Sequence, residues 1–137
     1  MINFKNDVIV FSIGAVCYGM TEILYRGYTH WTMVLTGGLC LLLSYIFNSN
    51  NKNTSYIYRC VVVWLIILIS EFLVGCIVNL WLGWNVWDYS REPFNFMGQI
   101  CLMFSFLWLL MSIFIVQICN LLEKELSNNA GHKPEYS

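Results

Sequence analysis

Glu71 stands inside an apolar stretch that runs from Tyr58 to Trp81, and it is the residue in this chain best placed to do chemistry. A carboxylate in hydrocarbon is costly unless it takes up a proton, meets a cation or borders water. Such a group therefore serves an ion or solute site, or glues helices together. Gly75 and Asn79 follow it at four-residue steps and share its helical face. At about 1.5 Å per residue Glu71 lies roughly 20 Å along the helix from Tyr58, past the midplane of a bilayer. The basic residues able to approach it are Arg26, Arg91 and His30.

A second constellation is Gly14, Tyr18, Glu22 and Arg26, again four residues apart. One face then carries a small, a hydroxylated, an acidic and a basic residue, which suits contact with other helices better than lipid. Arg26 is expected within salt-bridge reach of Glu22 or Glu71, since a partner lowers the cost of placing either carboxylate near hydrocarbon. Two further segments mix charge with aromatic residues: EILYRGYTHW from Glu22 to Trp31, and LGWNVWDYSREPFNFM from Leu82 to Met97. Trp81, Trp84 and Trp87 recur at every third position, which suits a turn of helix in the headgroup zone, and Pro93 would stop it.

The elements that hold these residues follow from composition. The chain of 137 residues is 58% apolar and 11% charged, less than half the roughly 25% charge of soluble proteins. Its mean hydropathy is +0.63. The apolar residues fall in four runs, 8–25, 31–47, 58–81 and 98–122, each near the ~20 residues that span a bilayer as a helix. The sequence thus predicts an all-α, polytopic membrane protein. It would be a four-helix transmembrane bundle, 1–122, with an interfacial loop or short helix between the third and fourth spans. Residues 123–137 are predicted to be a polar, disordered tail. No small-x-small site follows the first run, so it is expected to be a retained span.

Four spans place both termini on one side, with Lys5, Lys52, Arg59, Lys124 and Lys133, against Arg26 and Arg91 on the other. The positive-inside rule then predicts a multi-pass cell-membrane protein with cytoplasmic termini. Gly37-Gly38 reads as a close helix contact or a local bend. Gly98, Cys101, Ser105, Trp108, Ser112 and Cys119 read as a packing seam on the fourth span.

Six scattered cysteines form no CxxC pair, and no metal, cofactor or catalytic residue is assigned. The net charge of −1 gives no reason to expect nucleic acid. The chain has no GxxxxGK[ST], HExxH or GxSxG motif.

Glu22 to Trp31, Gly37-Gly38, WDYS from Trp87, and PFNFMGQ from Pro93 resemble the bacterial family labelled putative ABC-transporter permease, the CmpB-like group. The resemblance covers nearly the whole chain. It implies that Glu22, Arg26, His30, Trp31, Glu71, Asp88, Tyr89, Ser90 and Asn95 are recurrent polar positions. With Asn79 from the face of Glu71, these are the candidates for a substrate pocket. The leading functional reading is a transporter or permease component with an outward-facing polar pocket between the first and third spans, capped by Trp84 to Asn95. The bilayer would be one partner, a homodimer or partner membrane subunits another, and an unidentified small solute or lipid the ligand. The alternatives are an intramembrane enzyme acting on a lipid or cell-envelope precursor, or a structural or regulatory small membrane protein.

Overall fold

The computed structural model describes residues 3–131 and contains four long helices: α1 (Phe4–Arg26), α2 (Trp31–Asn50), α3 (Tyr56–Gly75) and α4 (Leu102–Gly131). A π-helical segment, Cys76–Trp81, continues α3, and two short strands, β1 (Asn95–Phe96) and β2 (Ile100–Cys101), pair antiparallel before α4. All four long helices have the length and apolar character to cross a membrane, the third counted through Trp81.

Local chemistry sets the helix ends. The Asn3 side chain accepts from the Lys5 backbone N–H at the start of α1. Gly27, at φ +79°, closes its far end with an N–H donated to the Ile23 carbonyl. His30 caps α2, its Nδ1 accepting from the Thr32 N–H, and Ser55 caps α3 through the Tyr58 N–H.

Burial is inverted relative to a soluble domain. Leu35, Leu43, Ile69, Leu73, Phe106 and Phe114 face outward, while Thr36, Ser44, Asn48, Ser70 and Ser112 are buried. Lipid solvates large apolar side chains, so close approach between helices falls to small and hydrogen-bonding residues. The most extensive packing joins α1 to α2, and α2, α3 and α4 pack on one another. Gly14 of α1 meets Gly37 and Gly38 of α2 so closely that a Cβ on Gly37 would lie 2.3 Å from the Tyr18 Cβ. Of the two sequence readings of Gly37-Gly38, close contact is the one that this geometry uses. Gly37→Ala is therefore expected to destabilise the fold by about 1–3 kcal/mol through overpacking. A wild-type melting midpoint in detergent would show that α1 can yield at no cost.

Three details differ from the sequence expectation. Trp81, Trp84 and Trp87 do not share a turn of helix. The helix ends at Trp81, and Gly83 and Asn85 take left-handed backbone angles (φ +68° and +48°) that carry the chain into a loop. The fourth helix starts at Leu102 rather than Gly98, because Gly98 and Gln99 are drawn into the loop. The Gly98 carbonyl accepts from the Tyr89 N–H, and the Gly98 N–H donates to Asn95 Oδ1. Finally, α4 continues to Gly131 where an irregular tail is predicted from residue 123. Leu122 and Leu126 extend its apolar stripe onto Val10 and Leu41, and Glu123 pairs with Lys52. Residues 132–137 of that tail lie outside the described residues.

The two ends of the bundle differ. At the end holding the α2–α3 link, Arg59 Nη1 donates to the side-chain oxygens of Asn48 and Asn120, tying three helices together. The opposite end carries the α1–α2 link, the π-helical segment and the loop 82–101, and nine of the ten candidate site residues lie in or beside these; Glu71 sits within α3 itself.

Candidate functional site

The candidate residues form adjoining clusters: Tyr18 links Glu22 to Trp108 beside Glu71, and Val86 links Arg26 to Asn79. In the first, Glu22 and Arg26 make an ion pair one helical turn apart, with Arg26 Nε donating to Glu22 Oε2 at 2.9 Å. Tyr18 donates to the other carboxylate oxygen at 3.2 Å. Arg26 Nη1 reaches the Val86 carbonyl at 3.2 Å, so the pair also ties α1 to the loop. The guanidinium lies 5.1 Å from the centroid of the Tyr28 ring.

Glu71 is buried, 6% exposed, and its partners are not the basic residues expected from the sequence. Arg26 is engaged by Glu22, its neighbour in the same helix, and His30 is engaged in capping α2. Glu71 instead accepts from two neutral donors, Trp108 Nε1 at 3.1 Å and the Tyr89 hydroxyl at 3.4 Å. Among the described residues it has no salt-bridge partner. Burial and the neighbouring Glu71 carboxylate push the Tyr89 phenol up, which keeps it an O–H donor. Tyr89 stacks on Phe104, and Trp108 stacks on Tyr18 with centroids 6.0 Å apart.

Asn79 belongs to a third cluster. Its side-chain oxygen accepts from the Val86 N–H at 2.7 Å and lies 3.5 Å from the Trp87 nitrogen, while its Nδ2 donates to Gln99 Oε1 at 2.9 Å. Trp87 Nε1 donates to the Gln99 carbonyl at 3.0 Å. Gly75 leaves room for this arrangement, since a Cβ there would come within 2.6 Å of Gln99 Oε1. The shared face of Glu71, Gly75 and Asn79 is thus real, but Asn79 is spent on anchoring the loop.

The remaining candidates shape the bundle end. Asp88 is exposed and accepts from the Ser90 N–H, a bond that holds its carboxyl below the usual carboxylate range. Asn95 donates to the Ser90 and Glu92 carbonyls. His30, Trp31 and Trp84 pack ring against ring, with centroids 5.7–5.8 Å apart.

Beside Glu71 a cavity of about 170 Å³ extends among α1, α2, α3 and α4. Of the ten candidates, Glu71 alone lines it. Tyr18 and Trp108 join it there. Both were visible to sequence reading only as members of helix faces, and nothing marked them as neighbours of Glu71. Gln99, buried at 3%, falls inside the apolar run 98–122, and no local signal distinguishes it.

The family model described as putative ABC-transporter type IV, CmpB, matches residues 8–134. The chain belongs to this family. The match takes in α1 from Val8 onward, the other three helices and every residue of the three clusters. With four helices able to cross a membrane, the chain is a multi-pass membrane protein of an ABC-transporter-type family. No curated protein and no solved structure matches it.

Proposed function

We propose that the chain is the membrane-embedded component of a transport system and that Glu71 is the residue that meets its solute. The observation that carries this reading is a buried carboxyl group that lines a cavity, is held in place by two neutral donors and has no salt-bridge partner among the described residues. Its charge is open to compensation by a cation or a proton brought from outside. Glu22, nearby, already has Arg26.

Both termini are cytoplasmic in this proposal, which sets Glu71 and the loop 82–101 toward the outer face. Labelling of single introduced cysteines tests the orientation. Position 90 should react with an impermeant reagent added outside cells and position 51 should not, and the reverse pattern would invert the protein. Because the chain carries no phosphate-binding loop, nucleotide hydrolysis would belong to a partner ATPase. Four spans are few for a transport path, so a homodimer or a partner membrane subunit would complete it.

Glu71→Gln tests the function. Glutamine keeps the shape and accepts a hydrogen bond, but it can neither carry charge nor exchange a proton. The variant should express and melt like wild type while reproducing the phenotype of the deleted gene. Full retention of function in Glu71→Gln would reduce Glu71 to a contact between helices.

A further inference from the structure

The cavity beside Glu71 is bounded unequally. Its floor comes from α2 and α3, where Met33, Gly37 and Ile67 are buried. Its rim comes from α1 and α4, and there Cys17, Thr21, Met111 and Ile118 are all exposed. The extensive helix pairings do not include α1 with α4, and away from the loop these two meet where Val10 shares a buried cluster with Cys119. Toward the loop, the stacked rings of Tyr18 and Trp108 bridge these two helices beside Glu71. The opening therefore lies along the side of the bundle, at the depth where lipid chains run.

Size and charge narrow the occupant. An apolar cavity of about 150 Å³ admits a benzene ring, so about 170 Å³ takes a head group and a few carbons but not a whole lipid. Among the described residues the lining contains no lysine, arginine or histidine to receive a phosphate or a carboxylate. Glu71 is its one charged side chain, with one donor already on each oxygen. A cationic donor complements it, and an anionic head does not.

We infer that the cavity is entered sideways from the bilayer by a long-chain amine, whose ammonium group meets Glu71 while its chain leaves between α1 and α4. This rests on the reading of Glu71 as the solute-contacting residue and adds the solute's class and its route.

The test titrates purified protein in a neutral maltoside detergent with dodecylamine, and with dodecanol as the uncharged match, following the thermal midpoint. Dodecylamine should raise the wild-type midpoint by several degrees, and dodecanol should do little. Glu71→Gln should weaken the apparent affinity for the amine at least tenfold. Cys17→Trp places a large side chain on the rim at an exposed position. It should leave the midpoint without ligand unchanged and abolish the response to dodecylamine. No response in the wild type, equal affinity in Glu71→Gln, or an undiminished response in Cys17→Trp would each overturn the inference. Tetramethylammonium separates the two readings. If it stabilises the protein through Glu71 and dodecylamine does not, sideways entry fails and Glu71 remains a cation site. If dodecylamine behaves as expected but cells carrying Glu71→Gln keep full function, the binding stands and the transport role of Glu71 falls.

Discussion

Asn79→Ala is expected to lower stability by roughly 2–5 kcal/mol and to loosen the loop 82–101 before the bundle itself melts. The wild-type amide serves both as acceptor and as donor in a buried place: the Val86 N–H donates to it, and it donates to Gln99. Alanine leaves both of those partners without a mate, and each buried unpaired polar group costs about 1–3 kcal/mol. Trp87 is drawn in as well, since its indole N–H is held by the Gln99 carbonyl and its ring packs with Met33 and Val78. Limited proteolysis in detergent should therefore cut the variant within 82–101 at a protease dose that leaves wild type intact. Unchanged cleavage and an unchanged melting midpoint would mean that the loop is held from elsewhere.

Arg26→Ala should cost about 2–4 kcal/mol. Its side chain is 21% exposed and that of Glu22 15%, so the pair lies between the exposed pairs worth under about 1 kcal/mol and the buried pairs whose rupture costs about 3–5. Most of the loss arises because Glu22 keeps its charge with only the Tyr18 hydroxyl to satisfy it. Adding Glu22→Gln to Arg26→Ala removes that stranded charge and should restore at least half of the lost stability. Arg26→Lys should recover little, because one ammonium group cannot serve Glu22 and the Val86 carbonyl with the fork that guanidinium provides. Thermal unfolding of the three variants beside wild type measures this directly. A fully stable Arg26→Ala would show that water already screens the pair.

The carboxylates of Glu22 and Glu71 thus have different standing. Glu22 is neutralised by a residue of its own helix, one turn away. Glu71 is held by residues that come from 18 and 37 positions along the chain, and neither of them brings charge. A pocket that acts on a solute has use for the second kind, since a carboxylate already paired with arginine has less to offer a cation.

How much of this could be read without coordinates follows from the range of each interaction. The four spans were legible because the requirement for about 20 consecutive apolar residues is local and strict. The Glu22–Arg26 pair was legible because four-residue spacing on a helix is itself a contact. Gly14 was legible as part of a helix-contact face, while for Gly37-Gly38 the sequence left a close contact and a local bend both open. The partners of Glu71 were not: Tyr89 sits on a loop and Trp108 on another helix, and each brings a neutral donor that looks like any aromatic residue of a membrane belt. The π-helical end of α3 and the left-handed turns at Gly83 and Asn85 were likewise out of reach, as was the bond from Asn79 to Gln99, a pairing across 20 residues that no periodicity encodes. The side opening of the cavity lay furthest out of reach. Sequence determined which residues can face lipid; where a gap is left between α1 and α4, between the Tyr18–Trp108 stack and the Val10–Cys119 cluster, was decided only when Gly14 drew α1 against α2, and α4 settled on α2 and α3.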